Sequence, residues 1–176
     1  LLQKYIKDYD YLVWMDADTS IMNLNVKLES FIIDYLIPED KVFMCVKDIG
    51  LEMNTGVWFI KCCDIAKQFL LDIYNQEDLI NSDLWEQDAF KRLYEQNHNN
   101  IQIHSVILPV WNCNLFNIEL VSFKHGDFLM HALGIRKVYG LQQVLWDFSL
   151  FVRDGENKDQ FMYRINTWLP SMYPPE

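Results

Sequence analysis

The stretch Tyr11-Leu12-Val13-Trp14-Met15-Asp16-Ala17-Asp18 is a continuous apolar run that ends in two carboxylates one residue apart. A run of this kind predicts a buried strand, and strand ends are where open α/β sheets expose their binding crevice. Residues i and i+2 of a strand share a face. Asp16 and Asp18 therefore converge on one hard cation, provided the strand geometry persists through Ala17. Neighbouring carboxylates repel unless something positive lies between them, so the pair points to a divalent metal rather than to stability. The bland reading stands beside it: acids after a strand also cap helices and accept turn hydrogen bonds.

Outward from that stretch, strand and helix patterns alternate. Asn25 to Tyr35 carries Val26, Leu28, Phe31, Ile32 and Tyr35 at mostly helical spacing, closed by Pro38. Lys41 to Lys47 is a short β-rich run, and Asn54-Thr55-Gly56 reads as a turn before the strand-like Val57-Trp58-Phe59-Ile60. Asp64 predicts a helix N-cap, with Ile65, Phe69 and Ile73 stacked on the apolar face. A second helix is expected from Leu84 to Gln96, with Asp83 as cap and Glu86 closing a capping box. Strands are expected within Ile101 to Leu108 and Phe128 to His131, and a helix from Glu156 to Trp168, ended by Pro170. This order predicts an α/β fold with a mixed, mostly parallel sheet flanked by helices.

Bulk composition narrows the classes. The 176 residues suit one domain spanning 1–176 with a sizeable core, and 51% hydrophobic content excludes a disordered chain. A formal charge of −10 argues against nucleic acid as partner, and it requires local positive charge for any anionic substrate. No apolar run reaches the length of a membrane span, so membrane contact is expected only through a segment not present here. The chain starts on Leu1 and reads as a C-terminal fragment or a processed region. The compartment stays open: Golgi lumen behind an upstream anchor if eukaryotic, otherwise cytoplasmic. The four cysteines, Cys45, Cys62, Cys63 and Cys113, contain no CxxC pair, which disfavours structural zinc. They read as buried thiols, with a Cys45–Cys113 disulfide left open.

A second motif, His131-Ala132-Leu133-Gly134-Ile135-Arg136-Lys137, follows the apolar Phe128-Leu129-Met130. A neutral imidazole completes an oxygen-rich site for Mn²⁺. Gly134 lets backbone approach a phosphate, and Lys137 offers a compact charge to a leaving diphosphate. Alone, the same residues also read as a core histidine, a loop glycine and a surface lysine. Together the two motifs describe a metal site at Asp16, Asp18 and His131 with Lys137 beside it, suited to charge developing on a departing diphosphate.

WMDADTSIMN, then MNTGVWFIK, WEQDAF and HALGIRK, resembles the ordered motif series of metal-dependent glycosyltransferases with the GT-A fold. The similar patterns are families 34 (galactosyl- and xylosyltransferases) and 8 (glycogenin-like), both retaining. The resemblance implies Mn²⁺ (or Mg²⁺) on Asp16, Asp18 and His131, with Gly134 and Lys137 on the diphosphate. It implies Asp48, Asn54 and Gly56 as substrate-binding residues on the donor sugar. It implies Glu86, Gln87 and Asp88 as the catalytic segment, with Gln87 on the β face of the transferred sugar. Glu86 departs from the family's aspartate, and Val138-Tyr139 departs from the Pro-Trp common in family 8. The implied partners are a nucleotide-sugar donor, UDP-linked, and a glycan or protein acceptor. The resemblance also implies that the N-terminal nucleotide-binding part of the fold precedes Leu1.

Two other classes compete. A haloacid-dehalogenase-type phosphatase also opens with DxD after a strand, with Asp16 as nucleophile and Ser20 in place of a Thr or Val, but its later acidic pair is represented only by Gly126-Asp127. A non-catalytic remnant acting as a binding module is the other. His98, His104 and His125 read as loop or strand histidines outside the chemistry. Tryptophans are expected mainly in the core, with some as acceptor-stacking platforms.

Overall fold

The computed structural model describes residues 1–47, 53–109, 118–119 and 126–131, the side chains of 118–119 excepted. The chain groups into two compact units, Leu1–Met15 with Lys27–Cys113, and Asp16–Val26 with Asn114–Glu176.

The first unit contains α1 (Leu2–Tyr5), β1 (Tyr11–Met15), α2 (Leu28–Phe31), β3 (Phe43–Val46), β4 (Asn54–Lys61), α3 (Asp64–Tyr74), α4 (Glu86–Glu95) and β5 (Ser105–Leu108). Its sheet runs β1-β4-β3-β5. The sheet is mixed, as the alternation predicted, with antiparallel pairs β1–β4 and β3–β4 and a parallel pair β3–β5. The parallel component is thus smaller among the described strands than alternation alone suggested. The short connection from β3 to β4 returns the chain antiparallel, whereas parallel pairing needs a long crossover such as the one through α3 and α4 to β5.

Strand β4 explains why its sequence is apolar without alternation. Trp58 and Ile60 belong to the core cluster with Phe69 and Leu70 of α3 and Phe90 and Leu93 of α4. Phe59, of opposite parity, meets Phe31 of α2 at a ring separation of 5.6 Å. Both faces are covered, so alternation would bury polar groups. The core is aromatic: Phe69 lies 4.9 Å from Phe43 and 5.0 Å from Phe90, and Trp58 packs edge-on to Phe90 at 5.6 Å.

Several local expectations shift. Helix α2 continues as a π-helical turn, Ile32–Leu36, so the predicted helix ends before Pro38. Asn54-Thr55-Gly56 is not a turn but the first part of β4; the β3–β4 register slips between Met44 and Val46, which accommodates the extra residues as a bulge. Cys63 rather than Asp64 is the N-cap of α3, and the Asp64 carboxylate instead binds Lys67 one turn on. The buried stripe of α3 is Ala66, Phe69 and Leu70, while Ile65 is 40% exposed. Tertiary contact with α4 sets that stripe, and sequence spacing alone allows both phases. The predicted helix 156–168 lies outside the described residues, as does His125.

Cys45 is a free thiol inside β3, and burial pushes it up from 9.0 to about 12. Cys62 and Cys63 are half-buried free thiols. Cys113 lies outside the described residues. At about pH 8 iodoacetamide is expected to label Cys62 and Cys63 in the native protein while leaving Cys45 unmodified until the chain unfolds. Peptide mass spectrometry checks this. The unfolded state loses the Cys45 proton first as pH rises past the ordinary thiol value, so this residue also costs stability between that value and about 12.

The second unit contains β2 (Thr19–Ile21), β6 (Ile118–Glu119) and β7 (Leu129–His131), in a sheet of order β2-β7-β6. β2 pairs antiparallel and β6 parallel with β7. Among the described residues no helix is long and apolar enough to cross a membrane.

Candidate functional site

Strand β1 stops at Met15, so the strand geometry does not persist through Ala17. Asp16 to Thr19 forms a tight turn: the Thr19 backbone N–H donates to the Asp16 carbonyl at 3.1 Å, and the Thr19 hydroxyl donates to the same oxygen at 2.7 Å. The turn, rather than a strand pleat, brings the two carboxylates to one side. A β-branched hydroxyl residue suits this position because its oxygen closes the turn and its backbone then starts β2.

Register supplies the third residue. Thr19 pairs with His131, Ser20 with Met130 and Ile21 with Leu129. The pairing is clamped at its far end, where the backbone N–H groups of Met22 and Asn23 donate to the Phe128 carbonyl at 2.7 and 3.2 Å. The Asn23 side-chain amide donates to the Gly126 carbonyl at 3.0 Å. Gly126 holds φ near +101°, a conformation that favours glycine in this turn. A one-residue slip would carry His131 to the opposite face.

The result is a compact Asp-Asp-His group. His131 Nε2 lies 3.2 Å from Asp18 Oδ1 and 3.8 Å from Asp16 Oδ2. One ligand atom from each residue lies within 4.8 Å of the others. His131 is 1% exposed and Asp18 is 5% exposed, while Asp16 is half-buried. Among the described residues neither ring nitrogen of His131 has a hydrogen-bond partner. A buried imidazole without a hydrogen bond is costly, and a divalent ion shared with two carboxylates would satisfy it. Two hard oxygen donors and one imidazole fit Mn²⁺ or Mg²⁺. Asp127 is buried in the turn before β7 but is not part of this group.

A second polar cluster belongs to the first unit. Gln87 Oε1 accepts the Thr55 backbone N–H at 2.9 Å, and Glu86 Oε1 accepts the Thr55 hydroxyl at 3.1 Å. Asn54 Oδ1 accepts the Gly56 N–H at 2.9 Å, bracing the bulged start of β4. Asp88 Oδ2 accepts the Leu84 N–H at 3.3 Å. The expected capping box between Asp83 and Glu86 is therefore replaced: Asp88 reaches back over the first turn, and Glu86 is turned to Thr55. Trp85, the N-cap of α4, has φ 47 and ψ −114, a strained backbone for a bulky residue, and is 52% exposed.

The structure thus gathers Asp16, Asp18 and His131 in one unit and Asn54, Gly56, Glu86 and Gln87 around Thr55 in the other, with Asp88 turned to the helix start. Asp48, Gly134 and Lys137 lie outside the described residues. Sequence reasoning missed Thr55 and Asn23, although both sit inside the motifs it quoted. Their signal is a small polar residue where a turn or bulge needs a local hydrogen bond. His98 is not a free loop side chain: its Nε2 meets Asp72 Oδ2 at 3.0 Å. His104 falls in the turn before β5, where its carbonyl accepts the Val42 and Phe43 N–H groups.

No protein-family model matches the chain. No curated protein matches it in sequence. Among solved structures it is similar to the crystal structure of a glycosyltransferase involved in the glycosylation of the major capsid of PBCV-1. The TM-score is 0.62 at 18% sequence identity, over 84% of this chain and 71% of that one. The likeness is one of architecture, and the chain has a glycosyltransferase fold.

Proposed function

We propose that this protein is a metal-dependent glycosyltransferase of GT-A architecture, related to families 34 and 8. It moves a hexosyl or pentosyl unit from a UDP-sugar to a glycan or protein acceptor with retention of configuration. The observation that carries the reading is the convergence of Asp16, Asp18 and His131 around one buried imidazole in a chain with this fold. These three residues hold Mn²⁺ or Mg²⁺. When bound, the ion supplies positive charge against the donor diphosphate.

The remaining roles belong to the chain itself. Lys137 adds a second positive charge to the leaving diphosphate, and Gly134 admits its oxygens close to backbone. Asp48, Asn54 and Gly56 bind the donor sugar. Gln87 contacts the transferred unit, with Glu86 and Asp88 shaping the segment that carries it. The acceptor hydroxyl approaches from the face the diphosphate leaves, and a departing phosphate oxygen takes its proton, so no protein base is required.

Thermal unfolding with UDP tests this. UDP is expected to raise Tm when Mn²⁺ is present and to have no effect in EDTA. An equal UDP shift in both conditions, or none in either, overturns the reading. Hydrolysis of a generic aryl phosphate that Asp16→Asn abolishes would favour a phosphatase instead.

A further inference from the structure

Asp72, near the end of α3, and the turn 97–100 after α4 bring three ligating side chains to one point. His98 Nε2 lies 3.0 Å from Asp72 Oδ2. The amide of Asn99 places its Nδ2 end 3.0 Å from that nitrogen and 3.4 Å from that oxygen. No arrangement of hydrogens matches every contact in this triangle. With a proton on Nε2, His98 donates to Asp72 but faces the donors of Asn99. Without it, the ring accepts from Asn99 but turns its lone pair on a carboxylate. Rotating the amide brings Asn99 Oδ1 inward, and two acceptors then face each other across one shared proton. A cation in place of that proton matches all three atoms at once. Ligand atoms about 2.1 Å from one ion lie about 3.0 Å apart in octahedral geometry and about 3.4 Å apart in tetrahedral geometry.

The triangle is held from outside. Gln68, one turn earlier on α3, donates its Nε2 amide to Asp72 Oδ1 at 2.8 Å and leaves Oδ2 to the centre. Asn97, Asn99 and Asn100 hold φ of 46°, 49° and 59°, a left-handed conformation that asparagine tolerates better than most residues. The Asn97 N–H donates to the Tyr94 carbonyl at 2.9 Å, and the Asn100 and Ile101 N–H groups donate to the Asn97 and His98 carbonyls at 3.0 Å. Asn97 Oδ1 accepts the Gln102 N–H at 3.1 Å. The backbone therefore sets His98 and Asn99 without help from Asp72. The Asp72 and His98 side chains are 17% and 39% exposed, so water reaches the open side.

We propose that Asp72 Oδ2, His98 Nε2 and Asn99 Oδ1 form a site for Zn²⁺ or a similar borderline divalent ion, with water completing its shell, which clips α3 to the chain after α4. One imidazole and two oxygens, only one of them charged, suit this class better than Mg²⁺. The site lies wholly within the first unit and shares no residue with the Asp16, Asp18 and His131 group. It does not depend on the glycosyltransferase reading.

Equilibrium dialysis of the metal-stripped chain against Zn²⁺, counted by atomic absorption, tests it. His98→Gln and Asp72→Ala are each expected to hold about one Zn²⁺ fewer than wild type. His104→Gln, which removes an imidazole outside the triangle, should keep the wild-type count. Asn99→Ala should weaken this Zn²⁺ by about 10-fold, whereas Asn99→Asp keeps an oxygen and adds charge, so it should tighten binding by about 10-fold. That gain is a readout that unfolding does not mimic. A wild-type chain that binds no Zn²⁺, a count unchanged by His98→Gln or by Asp72→Ala, or no tightening in Asn99→Asp overturns the site. None of these readouts passes through UDP, so loss of the sugar-transfer reading would leave the outcome intact.

Discussion

His131→Ala is expected to abolish metal binding and with it nearly all sugar transfer. The imidazole is 1% exposed, lies 3.2 Å from Asp18 Oδ1 and is the nitrogen donor of the group found among the described residues. Removing it leaves two carboxylates, and a two-ligand carboxylate site binds Mn²⁺ weakly. In wild type, Mn²⁺ at about 100 times its Kd should stabilise the fold by about 2.7 kcal/mol. For a chain of this size that corresponds to a Tm increase of roughly 5–10 °C. In His131→Ala the increase should vanish, and turnover should fall by about 10²–10³-fold, the scale of losing a principal charge-stabilising contact. Differential scanning calorimetry with and without Mn²⁺ checks the first effect, and UDP release the second. A variant that keeps both the Mn²⁺ shift and the turnover would remove the metal site from the mechanism.

Phe90→Ala should produce the largest loss of stability. Phe90 is 1% exposed and sits between Phe69 at 5.0 Å and Trp58 at 5.6 Å, with Phe43 at 6.0 Å. Truncation leaves a cavity that three large rings cannot collapse into, so the cost should be about 3–5 kcal/mol. The expected drop in Tm is about 10 °C, read by circular dichroism in EDTA so that metal linkage does not contribute. Ile65→Ala is the control. Ile65 is 40% exposed on α3, and alanine is a strong helix former, so the change should stay within about 0.5 kcal/mol. Equal losses for the two substitutions would contradict the packing described for α3 and α4.

The residue types of the candidate site were legible early because chemistry narrows them: paired carboxylates after an apolar strand, an imidazole after another, a glutamine in a short acidic triplet. The elements that carry them were legible for the same local reason, since an apolar run such as Val57 to Ile60 has few alternatives to a buried strand. Less legible was the phase of α3, where Ile65 and Ala66 both satisfy helical spacing and only contact with α4 selects between them. The Asn54–Gly56 segment was misread as a turn because its composition suits one; pairing to β3 across a bulge draws it into β4.

From its order of residues alone, the chain determined most of the described strands and helices and which side chain types suit a cation. The folded structure decided that those side chains meet. Asp16 and Asp18 converge through a turn closed by the Thr19 hydroxyl, and His131 joins them because Thr19 pairs with it rather than with a neighbour. Local preferences act over a few residues, whereas strand register between β2 and β7 is set by the best burial of both partners together. No window of sequence contains that balance.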